Sequence, residues 1–278
     1  MNDLKFGVAI PYGSAREAAG LGKLAEDAGW DGVFLGDAIW CEDPLISLAA
    51  VAMLTDRIRL GSMIIPAPLR RPWEIASQAL ALDRLSGGRL SLGLGAGAVW
   101  MGWQGFPGEV QDAKTRAEML DETIDVLDIL FSRRQQDYPG KHFPLKLTDL
   151  DPQHYPPAPV QQPRIPLWVP GLWPREKSMA RVLKADGILM EKLNSDGTPA
   201  EVSPADVSAV RDYVAARRVL TTPFDIVVSG QALVLDPATR LEQMAAWRAA
   251  GATWWVEAMW GLNAQQAGER IRQGPPRA

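Results

Sequence analysis

Residues 70–97 read RRPWEIASQALALDRLSGGRLSLGLGAG, and the way this stretch divides decides the fold. Pro72 suits a first helical turn. The apolar residues that follow recur at helical spacing until Gly87 and Gly88 stop them. Arg89 to Gly95 is then a short run of small and apolar residues, the pattern of a strand buried on both faces. The strand ends in Gly93, Gly95 and Gly97, and a Gly-x-Gly-x-Gly run raises the question of a dinucleotide. A dinucleotide fingerprint belongs at the first strand-to-helix turn of a βαβ unit, with a helix starting at once and an acid about 20 positions later. Here the glycines close a fourth strand, and Ala98 to Gly108 reads as a loop. Two readings stay open. The glycines let a crowded strand end pack, or they strip the strand so that a flat ring can lie on its backbone.

The same strand-then-helix unit repeats along the chain. Leu4 to Ile10 precedes a helix from Ser14 to Gly29; Gly32 to Gly36 precedes Pro44 to Thr55; Ile58 to Ile65 precedes Pro72 to Ser86; Arg89 to Gly95 precedes Asp112 to Ser132. Residues 135–166, rich in proline and polar side chains, read as an excursion. The alternation resumes with strands at Pro166–Val169, Gly187–Met190, Phe224–Ser229 and Thr253–Glu257. Their helices fall near Arg175–Lys184, Pro204–Arg218, Pro237–Ala250 and Gln265–Arg272. Eight βα units in one run, taken as a single domain over 1–278, predict a parallel sheet closed into a (β/α)8 TIM barrel. The Pro-rich insertion then lies between the fourth and fifth units, and the site belongs at the C-terminal ends of the strands.

Composition removes several function classes. A net charge of -4, with 29 Lys+Arg interspersed among 33 Asp+Glu, offers no basic stripe for nucleic acid. A lone Cys41 and the two histidines, His142 and His154, leave no disulfide and no multi-Cys or His-rich metal centre. The start, MNDLKFGVAIPYG, is not patterned as a secretory leader. Leu90 to Gly108 is uncharged but too rich in glycine for a membrane helix, so a reducing, cytoplasmic setting without membrane partners is expected. Eleven tryptophans are the compositional oddity, and a cluster of them at one rim would suit a planar ligand.

Five blocks together resemble the luciferase-like flavin-dependent oxidoreductases, the family of bacterial luciferase and of deazaflavin F420-dependent enzymes. They are Ala28–Asp37 (AGWDGVFLGD), Thr55–Gly61 (TDRIRLG), the stretch 70–97, Arg164–Gly171 (RIPLWVPG) and Ala250–Glu257 (AGATWWVE), in family order over nearly the whole chain. The resemblance implies reduced FMN, or alternatively coenzyme F420, acting on a small organic substrate, with the protein orienting the cofactor and excluding water. A monooxygenase of this kind receives its reduced flavin from a separate reductase, and barrels of the family commonly pair as homodimers. The resemblance also implies a cis, non-proline peptide at Met63–Ile64, with the ring lying over Met63, Ile64, Gly95 and Gly97. The cofactor phosphate is expected where the fifth strand turns, at Pro170, Gly171, Leu172, Trp173 and Arg175, since free N–H groups at a helix start attract anions.

The chain departs from the family pattern in three places. Ala38 follows Asp37 where many members carry a histidine, Ala98 follows the glycines where sugar-phosphate dehydrogenases carry an acid, and Leu172 and Trp173 replace a Gly and a Ser or Thr. The acids at predicted strand ends are Asp37, Glu191 and Glu257, with Asp37 and Glu257 the expected catalytic groups. Arg70 and Arg71 are candidates for phosphate or substrate, and the two histidines are expected on a surface hairpin or lid. A different class is a glycoside hydrolase using Glu191 and Glu257, which for retention needs the two carboxyls about 5 to 5.5 Å apart. A barrel that binds flavin without turnover is the third reading.

Overall fold

The computed structural model describes residues 3–277. Each predicted unit is present. β1 (Lys5–Ala9), α1 (Ala15–Asp27), β2 (Gly32–Leu35) and α2 (Pro44–Leu54) lead to the third stave, which is broken into β3 (Arg59–Ser62) and the short β4 (Ile65–Pro66). Then come α3 (Pro72–Leu85), β5 (Leu90–Gly95), α4 (Ala113–Phe131), β6 (Leu167–Trp173), α5 (Glu176–Val182) and β7 (Gly187–Lys192). α6 (Pro204–Arg217), β8 (Asp225–Gly230), α7 (Pro237–Ala250), β9 (Trp254–Ala258) and α8 (Ala264–Ile271) complete the chain. Caps fall where the sequence puts them: Ser14 forms a capping box with Glu17, and prolines open α2, α3, α6 and α7.

All the strand pairs are parallel, and the ring closes where Leu60 and Gly61 meet Leu90 and Ser91. The result is a closed barrel of eight staves jacketed by helices. Its interior is plugged by Phe34, Trp168 and Trp254, whose rings stack or meet edge-on at 5.4–5.8 Å. Room for these rings comes from small neighbours. A Cβ on Gly61 would lie 2.4 Å from Phe34, and one on Gly187 would lie 2.5 Å from Trp168.

The third stave does not run straight from Ile58 to Ile65. It kinks at a cis Met63–Ile64 peptide, with Met63 N–H still donating to the Leu35 carbonyl at 2.7 Å. β6 and β7 both run past their expected ends and pair as far as Trp173 with Lys192. Beyond Trp168 the edge of β6 that faces β5 is no longer paired, and Pro170, with no N–H to donate, falls in that stretch.

The Pro-rich excursion leaves α4 and returns to β6, both at the end of the barrel opposite the mouth. Tyr138 and Leu145 bridge as a small hairpin, and His142 Nε2 lies 3.2 Å from Glu118 on the outer side of α4. The return is tied by Val160 N–H to Asp83 at 2.6 Å and by buried Arg164 to Asp186 at 2.9 Å. Among the described residues, no helix is long and apolar enough to cross a membrane.

Candidate functional site

The C-terminal ends of the staves open into a cavity of about 920 Å³, within the size range of small-molecule sites. Strand parity decides on which side of the barrel wall a residue lies. Leu189, Val227, Trp254 and Val256 belong to the interior cluster, so Glu191, two residues beyond Leu189, also points inward. Trp255 packs in the outer layer, and Glu257 shares its parity.

Of the expected cofactor residues, Met63, Ile64, Gly95, Gly97, Pro170 and Leu172 line the cavity together. They form an uncharged side that spans the third, fourth and fifth staves. Each glycine there has a packing reason. A Cβ on Gly93 would lie 2.1 Å from the Ser62 carbonyl oxygen, and one on Gly95 would lie 2.6 Å from Ile64 Cδ1. Gly97 has φ +75, and a Cβ there would lie 2.4 Å from the ring of Trp103. The turn after β5 is held by buried Arg116 of α4, which donates to the carbonyls of Ala96 and Gly97 at 2.9 and 2.6 Å.

Of the expected phosphate loop, only Pro170 and Leu172 border the cavity. Gly171, Trp173 and Arg175 do not line the cavity. β6 continues through Trp173, which turns away and meets Tyr213 edge-on, while Gly171 makes room for Ile188, 2.3 Å from a would-be Cβ. Arg175 is exposed at the N-cap of α5. Ser178 and Arg181 of α5 line the cavity instead. Ser178 Oγ accepts the Leu172 N–H at 3.0 Å, and Arg181 is held by Asp121 at 2.6 and 3.1 Å. Reading strand ends alone misses both residues, because they lie one and two turns into a helix.

Glu257 is fully buried outside the barrel wall and lines no part of the cavity. Its carboxylate accepts N–H groups from Ala232 at 2.9 Å and Leu233 at 3.2 Å and the Trp255 indole N–H at 3.3 Å, with Arg270 at 3.9 Å. Burial pushes its pKa up, and these bonds pull the other way. The loop after the seventh stave, where barrels frequently bind phosphate, thus has its free amides satisfied from within. With Glu191 and Glu257 on opposite faces of the wall, the pair cannot flank a glycosidic bond. Their arrangement excludes the hydrolase reading.

Asp37 does line the cavity, and it is nearly buried. Arg70 bridges it to Asp43, which caps α2, with both ion pairs at 2.6 Å, and Cys41 Sγ sits 3.6 Å from its other oxygen. Burial raises the Asp37 pKa, with Arg70 opposing. Arg70 is therefore committed to two carboxylates, while Arg71 caps α3 and takes no part in the lining. Ala38 lines the mouth beside Tyr12, whose phenol pKa is raised by burial and then by Cys41 and Asp37. The excursion contributes nothing to the lining, so neither His142 nor His154 reaches over the cavity. No cluster of His, Cys, Asp and Glu among the described residues could hold a metal ion.

The comparisons with known proteins come from three directions. The family model for luciferase-like monooxygenases matches residues 4–276. A Mycobacterium tuberculosis protein provisionally named a coenzyme F420-dependent oxidoreductase is 38% identical over 153 residues, covering 52% of this chain and 42% of that protein. The oxygenase component of a flavin-dependent trigonelline monooxygenase from Acinetobacter baylyi is 30% identical over 139 residues, covering 50% of this chain and 36% of that protein. These matches thus extend over less than half of each relative's length. The F420-dependent tetrahydromethanopterin reductase of Methanopyrus kandleri superposes with a TM-score of 0.73 at 18% identity, over 98% of both chains, and so shares the fold. By its matched sequence and its barrel, the chain belongs to the luciferase-like monooxygenase family.

Proposed function

We propose that this chain is a flavin-dependent oxidoreductase that uses reduced FMN, or in a second reading coenzyme F420, on a small organic substrate. The observation that carries the proposal is the two-sided cavity of a luciferase-like barrel. One side, of Met63, Ile64, Gly95, Pro170 and Leu172, is uncharged, and a polar side begins at Ser178, Arg181 and Glu191. The residues fit such a group. Met63, Ile64, Gly95 and Gly97 would back the ring, and Leu172, Ser178 and Arg181 would meet its anionic tail. The cofactor would supply the redox chemistry. Asp37, held at one rotamer by Arg70, would orient a polar group of the ring or substrate and keep a fixed charge at the mouth. The aromatic rim of Tyr12, Trp100 and Trp103 would exclude water.

The F420 reading draws on the Mycobacterium relative, and the FMN reading on the Acinetobacter oxygenase component, whose designation as a component supports a separate flavin reductase as partner. Homodimer formation is part of the same proposal. The outer face of α2 is uncharged and leaves Ile46, Met53 and Leu54 exposed at 66%, 69% and 51%, a patch suited to a second copy. The test is a fluorescence titration with FMN and F420, each oxidised and reduced. One of them should quench saturably in its reduced form. Failure of all four to bind would overturn the proposal.

A further inference from the structure

We propose that Glu191 selects a substrate bearing a cationic nitrogen. The inference rests on reading the cavity as the substrate site, and it adds the class of molecule the site accepts.

The charged residues that line the cavity are Asp37, Arg181, Glu191, Lys192 and Glu201. Three of them are already neutralised by the protein. Asp37 has Arg70 at 2.6 Å, Arg181 has Asp121 at 2.6 Å, and Lys192 Nζ has both oxygens of Asp206 at 2.9 Å. Glu191 has no hydrogen-bond or ion-pair partner among the described residues, and Glu201 lies exposed in the loop before α6. The charge left over at the mouth is therefore negative, and the part of it fixed on a strand belongs to Glu191.

Position sharpens the case. Glu191 pairs in register with Leu172 of β6 and lies two residues beyond the Leu189–Val227 pair, so it stands level with Leu172 and Ser229, above the aromatic plug. Its carboxylate is reached by solvent through the opening, yet the cavity walls crowd it enough to push its pKa up, with desolvation as the only cause. A carboxylate so placed gains most from a ligand that brings a positive charge. Tyr12 and Trp100 line the same cavity, and aromatic rings there favour a cation further.

The probes are benzylammonium and benzyl alcohol, close in shape and different in charge, with affinities measured at neutral pH by ligand-observed NMR on the full chain. The wild type should bind benzylammonium at least tenfold more tightly. Glu191→Gln should bring the two affinities together, and Glu191→Asp and Glu201→Gln should keep the preference. Equal affinities in the wild type, no saturable binding of benzylammonium, or a preference that survives Glu191→Gln would each overturn the proposal. FMN and F420 titrations of the same proteins separate it from the function proposed above. Lost cofactor binding in the wild type with the benzylammonium preference intact overturns the oxidoreductase reading alone. A Glu191→Gln variant that loses cofactor affinity but keeps the preference sets Glu191 against the cofactor and overturns this inference alone.

Discussion

Glu191 and Glu257 occupy the mouth ends of two staves separated by one other, and burial raises the pKa of both, yet their partners differ. One faces the cavity without a partner; the other is sealed behind the wall with three N–H donors and an arginine nearby. The same side chain on the same kind of strand serves solvent on one face and architecture on the other. Strand parity puts the two on opposite sides of the wall. A barrel wall is therefore best read as two surfaces, and a carboxylate at a strand end belongs to the site only where its side chain borders the cavity.

Removing each acid should show the difference, with the largest effect at Glu257. Glu257→Ala strands the amides of Ala232 and Leu233, the Trp255 indole and the charge of Arg270, and should destabilise the fold by about 3–5 kcal/mol. Thermal unfolding should show a drop of roughly 10 °C. A shift below that of Glu191→Gln would break the contrast.

Asp37 supplies an intermediate case, an inner-surface acid with a partner. Arg70→Ala leaves Asp37 and Asp43 without their shared cation and should cost about 2–3 kcal/mol by denaturant titration. An unchanged midpoint would mean that the bridge holds nothing in place.

Glu191→Gln should be nearly neutral, within about 0.5 kcal/mol, as expected where no contact is lost. Its mark is in the pH dependence. The folded pKa of Glu191 lies above the unfolded one, so the native state holds the extra proton in between. That contribution is fully present below the ordinary glutamate value and is lost as pH rises through the raised one. Unfolding midpoints of wild type and Glu191→Gln across this window should differ in slope, the wild type falling more as pH rises. Parallel curves would contradict the placement.

The eight-unit rhythm was legible because buried parallel strands are short apolar runs and helices carry their own caps, as at Ser14, Pro72 and Pro237. The inner and outer faces of those strands were not, since both are apolar; this is why Glu257 reads as a site residue in the sequence and turns out to anchor a loop. Gly171 misleads for a related reason, and Gly97, which does line the cavity, is shaped by packing as well. A missing side chain records that something approaches closely, and here the visitors are Ile188 and Trp103. Substituting Gly97 would thus strain the turn whether or not a ligand lies there. Arg181, Ser178 and Arg116 went unread because their parts in the site depend on how helices lie against the barrel, a long-range outcome that local pattern does not carry.

The excursion of 135–166 hangs on the flank of α4, its tip tied to Glu118 and Glu122 and its return anchored by Arg164 and Asp186. Lys141 at that tip is exposed and no residue of the excursion lines the cavity, so a tether or spectroscopic label carried there would leave the lining itself untouched.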